Sequence, residues 1–210
     1  MARYIAITDI HGELGKFENL LSKLETREDD IFVFMGDYID RGPDSRGVVE
    51  KIIELGEIYK CIYLIGSHEY ALLYSKSDDY YNYLFWNYGG PATVKSYGGS
   101  FENILNVHGD FFRSLKFYYL TNEYLFVHAG INPDYPLEEQ DETDLVYIRG
   151  KFIYSKHNLP QKIIFGHTEF DEPYVADDKI CIDLGCGKYK DAKLCALILD
   201  NGKEEFVYSD

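Results

Sequence analysis

Five short polar clusters carry the residues able to do chemistry. They read TDIHG (8–12), GDYIDRG (36–42), GSHE (66–69), VHAG (127–130) and GHTE (166–169). Together they hold Asp9, His11, Asp37, Asp40, Arg41, His68, His128 and His167. Carboxylate and imidazole are the ligands of Mn, Fe and Zn, whereas a thiolate site would need cysteines in these clusters. An Asp-x-His spacing on a turn lets both side chains reach one ion. A lone aspartate in a second cluster can bridge two ions, and two later histidines can complete the second. Two such metals, roughly 3.5–4 Å apart, activate water and clamp a phosphoryl group for in-line displacement. Each piece alone has an ordinary explanation: a turn, an N-cap, a surface histidine. All five together, each with a glycine, argue for a metal site.

The elements around the clusters explain how they could meet. Strand-like runs occupy 3–8, 31–36 and 61–66, separated by helix-like stretches at 13–25 and 44–56. Leu14, Phe17, Leu20, Leu21 and Leu24 recur at helical spacing, as do Val48, Val49, Ile52, Ile53 and Leu55. Asp44 or Ser45 suits the N-cap of the second helix. This βαβαβ order predicts a parallel sheet. Further strands are expected at 116–121, 124–130, 162–167, 173–177, 179–185, 194–200 and 204–209, interrupted by a helix at 143–155. Their spacing suggests a more antiparallel half, with Asn201-Gly202 as a hairpin turn. Each polar cluster follows a strand. Ligands of open α/β sheets bind outside the carboxyl ends of the strands, so one crevice should collect them all.

Residues 69–115 show no clear strand. They are rich in tyrosine and broken by Gly89, Gly90, Gly98 and Gly99. Short helices forming a lid-like segment are expected, with Tyr70 and Tyr97 the tyrosines to look for near the site. Packing of amphipathic aromatics onto the body is the plainer alternative. No linker or repeat appears, so residues 1–210 are read as one α/β domain.

The formal net charge of -15 disfavours nucleic acid and anionic membranes as partners. An anionic substrate must then be drawn in by a local positive site, such as bound metal. Cys61, Cys181, Cys186 and Cys195 form no CxxC pair and are expected as buried free thiols. No apolar run approaches the ~20 residues of a membrane span, and the N-terminus enters a strand without a signal-peptide core. A cytoplasmic protein is expected.

In order and approximate spacing, the clusters resemble the motifs of the calcineurin-like metallophosphoesterases, in particular the bacterial and phage-type serine/threonine protein phosphatases. That signature runs GDxHG, GDxxDRG, GNHE, H-[AG]-G, GHT. The segment VYIRGKF (146–152) resembles the family's W-x-R, with Tyr147 in the Trp position, and CIDLGCG (181–187) resembles its I-D-T-G strand. The resemblance implies a four-layer αββα sandwich. It implies two divalent cations, most simply Mn, with Fe or Zn as alternatives. Asp9 and His11 would hold the first, Asp37 would bridge, and His128 and His167 would hold the second with position 67. Arg41 and Arg149 would bind phosphate oxygens, His68 would be the general acid, and Asp40 would hold its imidazolium. His108 and His157 fall outside the motifs and are expected at the surface.

Two positions depart from the pattern. Thr8 stands for Gly, a mild change beside the ligand. Ser67 stands for Asn, a change of metal ligand. Its side chain is shorter by about one bond, roughly 1.5 Å, so the second ion should bind more weakly or take a water instead. The expected activity is metal-dependent hydrolysis of phosphomonoesters, foremost phosphoserine and phosphothreonine proteins. A dinucleoside-polyphosphate or other small-molecule phosphoesterase is the alternative in the same chemistry. A phosphatase-like binding protein, weakened by Ser67, is the alternative of another class.

Overall fold

The computed structural model describes residues 2–210. Ten strands make two five-stranded sheets. The first contains β1 (Tyr4–Ile7), β2 (Ile31–Phe34), β3 (Lys60–Tyr63), β9 (Cys195–Asp200) and β10 (Lys203–Tyr208), in the order β10-β9-β1-β2-β3. The second contains β4 (Tyr118–Leu120), β5 (Tyr124–Val127), β6 (Lys162–Phe165), β7 (Tyr174–Val175) and β8 (Lys179–Cys181), in the order β4-β5-β6-β8-β7.

Alternation along the strands builds the layers, because successive side chains face opposite sides of a sheet. Ile5, Ile7, Phe32 and Phe34 point outward into a core with helices α1 (Leu14–Lys23) and α2 (Ser45–Ile58). Tyr4, Ala6, Ile31 and Val33 point inward and meet Tyr124, Phe126, Ile164 and Ile180 of the second sheet. Leu125, Val127, Ile163 and Phe165 fill a third core under α7 (Glu142–Tyr147) and α8 (Gly150–Ile153). Three cores between four layers make the αββα sandwich.

The parallel β1-β2-β3 core agrees with the sequence reading. The second half does not follow the antiparallel expectation throughout. β5, β6 and β8 are mutually parallel, and only β4 and β7 run antiparallel at the edges. The crossover through α7 and α8 permits this, since parallel neighbours need a long connection. The closing β9-β10 hairpin is antiparallel and turns at Asn201-Gly202, both at positive φ, as that dipeptide predicts. It joins the first sheet, not the second, by pairing β9 with β1.

The single helix expected at 143–155 is two. Ile148 is extended and buried, and Arg149 has φ -132°, ψ -111°. Burying Ile148 in the third core breaks the helix and turns Arg149 out of it. Residues 69–115 are helical as expected: α3 (Ser67–Tyr74), α4 (Asp79–Asn87), α5 (Gly90–Ser96) and α6 (Phe101–Ser114), with α3 starting two residues early. The four cysteines are free, three of them buried. Among the described residues no helix is long and apolar enough to cross a membrane.

Candidate metal and phosphate site

The turns after β1, β2, β3, β5 and β6 meet in one crevice. Their backbones are strained. Seven non-glycine residues have positive φ among the described residues, and six lie here: Asp9, His11, Asp37, Asp40, Arg41 and His167. A left-handed conformation costs a non-glycine residue roughly 1–2 kcal/mol, so the surroundings must hold these turns in place. Gly36 and Gly66 make the approach possible. A Cβ on Gly36 would fall 2.4 Å from the Gly66 Cα, and one on Gly66 would fall 2.2 Å from the Asp37 nitrogen.

Glu69 is the chief support. Its buried carboxylate accepts from the backbone N–H groups of Asp37 (2.8 Å), Tyr38 (2.8 Å), Ile39 (3.2 Å) and Gly66 (3.1 Å). The sequence reading gave Glu69 no role. Its place three residues after the Gly66 N-cap was the available signal, because a Glu there reaches back to free N–H groups.

The histidines are set by hydrogen bonds on their far side. His11 Nδ1 donates to the Ile39 carbonyl (3.0 Å) and His128 Nδ1 to the Met35 carbonyl (2.8 Å). The other ring nitrogen, Nε2, of each faces the Asp37 carboxylate. Against its burial, Asp37 pushes the His128 pKa up to about 9, so a cation there would have to displace that proton. The Nε2 atoms of His128 and His167 are buried with no hydrogen-bond partner. Asp37 lies between: its carboxylate is 3.7 Å from His11 Nε2 and 3.4 Å from His128 Nε2. Burial pushes the His11 and His167 imidazoles well below their ordinary range, toward the neutral form that ligates metal. These orphaned nitrogens around a shared carboxylate are the donor set a pair of divalent cations requires.

Two groups of side chains bring ligand atoms close enough to share an ion: Asp37, His128 and His167, and His11, Asp37 and His68. Asp9 stands outside both triads, 3.8 Å from His11 Nε2. Its carboxylate accepts from Thr8 Oγ1 (2.7 Å) and the His167 N–H (3.1 Å). The threonine that departs from the family pattern therefore orients an aspartate. Ser67 Oγ donates to Asp37, at 3.1 and 3.3 Å from the two carboxylate oxygens. The Ser67 carbonyl accepts from Tyr147 Oη (2.9 Å).

His68 sits at the open side. Its Nδ1 is 2.6 Å from Asp40 and its Nε2 is 3.2 Å from Arg41 Nη2. Burial works against an imidazolium there, but Asp37 and the Asp40 hydrogen bond outweigh it and raise the His68 pKa. Asp40 is held by Thr93 Oγ1, which donates to its carboxylate (2.6 Å), and its N–H donates to Ser45 Oγ (3.0 Å). Neither Thr93 nor Ser45 was anticipated as part of this support. Thr93 comes from α5, 53 residues away in sequence, and no local pattern points to it.

Arg41 and Arg149 both line the crevice, whose volume is about 300 Å³. Arg149 is half exposed and 3.8 Å from Glu169. The tyrosines singled out in the sequence do not line it. Tyr70 is buried in an aromatic cluster with Tyr74, Tyr81 and Tyr147. Tyr97 is buried, its Oη 2.7 Å from His108 Nδ1. Burial of hydrophobic rings outcompeted exposure at both positions. Tyr80 and Tyr88 line the crevice instead. His108 and His157 lie outside the site, and neither is fully exposed. His108 sits at a kink in α6, and the His157 side chain is buried against Asp178.

The family model for calcineurin-like phosphoesterases matches residues 2–204. A bis(5'-nucleosyl)-tetraphosphatase (asymmetrical) of Oceanobacillus iheyensis is 30% identical, over 86% of this chain and 82% of the relative. Among solved structures, a candidate diadenosine tetraphosphatase superimposes with a TM-score of 0.74 at 21% identity, covering 100% of this chain and 94% of the other. A Saccharomyces cerevisiae protein serine/threonine phosphatase does so with a TM-score of 0.68 at 17% identity, covering 100% and 80%.

Proposed function

The chain belongs to the calcineurin-like phosphoesterases, and from that premise we propose that it is a metal-dependent hydrolase of dinucleoside polyphosphates. The observation that carries the substrate class is the likeness to the asymmetrical bis(5'-nucleosyl)-tetraphosphatase, which extends over most of both chains. The crevice suits such a substrate because two guanidinium groups face it beside the ligand set.

In this reading Asp9, His11 and Asp37 would hold one divalent cation. Asp37, His128 and His167 would hold the other, with Ser67 beside it. When bound, the cations, proposed as Mn with Fe or Zn as alternatives, would supply Lewis-acid polarisation of the phosphoryl group and activation of the attacking water. Arg41 and Arg149 orient the phosphate oxygens, a task that the planar guanidinium fork suits. His68 delivers a proton from Nε2 to the departing oxygen. Asp40 accepts from Nδ1, fixes the ring and keeps it protonated. Ser67 would weaken the second cation site, because its hydroxyl is shorter than the family's amide and is engaged with Asp37.

A second reading, phosphoserine and phosphothreonine protein phosphatase, is favoured by the His68–Asp40 pair. An alkoxide leaving group needs a proton far more than a departing phosphate does. Initial rates with added Mn on diadenosine tetraphosphate and on a phosphoserine peptide separate the two. Faster turnover of the tetraphosphate is expected, and faster turnover of the peptide would establish the second reading. Mn binding without turnover of either would instead indicate a phosphatase-like binding protein.

A further inference from the structure

Six crevice residues take no part in the chemistry above, and three of them share one helix. Tyr80, Leu84 and Tyr88 lie along α4 and its C-cap at a spacing of four, so they form one stripe. The helix is anchored by different residues. Phe85 is fully buried against Phe101, and Tyr81 stacks on Tyr147. That anchoring leaves Tyr80 62% and Tyr88 53% exposed. Two large rings at the rim of a polar crevice are uncovered, while Tyr70 and Tyr97 of the same segment are packed away.

The stripe is fixed relative to the phosphate-binding end. Gly89 follows Tyr88, and its carbonyl accepts from the Arg41 N–H (3.4 Å). A Cβ on Gly89 would fall 2.5 Å from that nitrogen. The last turn of α4 is thus seated on the residue proposed to hold a phosphate oxygen. A group joined to that phosphate meets tyrosine faces and the Leu84 side chain, with no charge on the stripe. Flat, neutral π systems suit such a wall, since aromatic faces stack on any base. A volume of about 300 Å³ is at the small-molecule end of binding sites.

We propose that Tyr80 and Tyr88, with Leu84 between them, form a nucleobase subsite for the nucleotide whose phosphate Arg41 holds. This rests on the nucleotide reading of the same crevice. Calorimetric titration of the Mn-loaded protein with adenosine 5'-monophosphate and with ribose 5-phosphate isolates the base. The nucleotide is expected to bind about tenfold more tightly, the order of one stacked base. The double variant Y80A/Y88A should remove that preference and leave ribose 5-phosphate within about twofold, as its contacts lie at the arginines. The variant Y80F/Y88F should keep the preference, because stacking needs the ring and not the hydroxyl. It also serves as the test should the double alanine variant fail to fold.

Equal affinity of the two probes for the unaltered protein would overturn the subsite. So would a preference that survives in Y80A/Y88A or is lost in Y80F/Y88F. Turnover of diadenosine tetraphosphate is scored separately. Turnover without a base preference refutes the subsite alone. A base preference that the ring-free variant abolishes, without turnover of the tetraphosphate, refutes the substrate assignment and leaves the subsite standing.

Discussion

The crevice has two unlike walls. One is the set of turns at the strand ends, where Asp9, His11, Asp37, Asp40 and His128 are buried and their backbones or rings are tied by specific hydrogen bonds. The other is α4, which meets the crevice with Tyr80, Leu84 and Tyr88 and touches the first wall through Gly89. The first wall stores strain at six positive-φ positions. The helix α4 has none between Asp79 and Asn87. Strain persists only where the surroundings over-determine the backbone. The turn wall is therefore held in place by its surroundings and, in the proposed reading, fixes the chemistry, while the helical wall carries no such strain and is suited to choosing the substrate.

The largest effect should come from His68, at the turn wall. His68→Asn removes the proposed proton donor and is expected to slow hydrolysis of a phosphoserine peptide about 10²–10⁴-fold. Loss on diadenosine tetraphosphate should be smaller, because the departing phosphate, with a pKa of about 6, needs less protonation. Equal losses on both substrates would show that His68 acts by binding instead. Next is Glu69→Ala, which strips an acceptor from four buried N–H groups. A buried donor left unpaired costs about 1–3 kcal/mol, so urea denaturation should show a loss of at least about 3 kcal/mol. A loss under about 1 kcal/mol would mean that the turns hold themselves.

The two walls were unequally legible in the sequence. The placement of Asp9, His11, Asp37, Arg41, His68, His128 and His167 at the converging turns could be read because each follows a strand and lies in a short motif with glycine. Such residues report on local backbone. Ser45 and Thr93, and Glu69 in its contacts beyond Gly66, act on turns 5 to 53 residues distant, and that pairing is made only by the fold. The antiparallel reading of the second sheet failed for a similar reason. Hairpin-like spacing cannot show that β8 inserts between β6 and β7. In the helical segment the tyrosines look alike in sequence, and only the packing of α3 and α4 decides that Tyr80 and Tyr88 line the crevice while Tyr70 is buried.

Smaller effects sharpen the contrast within the turn wall. Ser67→Asn restores the family's longer amide ligand and should raise affinity for the second Mn about tenfold in a two-site metal titration. Unchanged affinity at both sites would show that Ser67 costs the site nothing. Asp40→Asn tests electrostatics. Burial lowers the His68 pKa, while Asp37 and Asp40 raise it to a net position above the ordinary value. A raised pKa keeps the acid form protonated to higher pH. Removing the Asp40 charge should therefore move the alkaline limb of the kcat profile to lower pH. A limb that stays in place would assign it to another group.

The smallest effect on stability belongs to the helical wall. Tyr80 is 62% exposed, and its neighbours Tyr81 and Phe85 carry the packing of α4. Tyr80→Ala should shift the denaturation free energy by no more than about 0.5 kcal/mol, as surface substitutions do. Set beside Glu69→Ala, that is at least a sixfold difference between residues lining or supporting one crevice. A loss above about 1.5 kcal/mol would mean that Tyr80 is a packing residue after all, and that α4 is braced as firmly as the turns. The division between a rigid chemical wall and a tolerant one would then fail. Substrate choice would have to reside in the half-exposed Arg149 and its partner Glu169, whose side chains also border the opening.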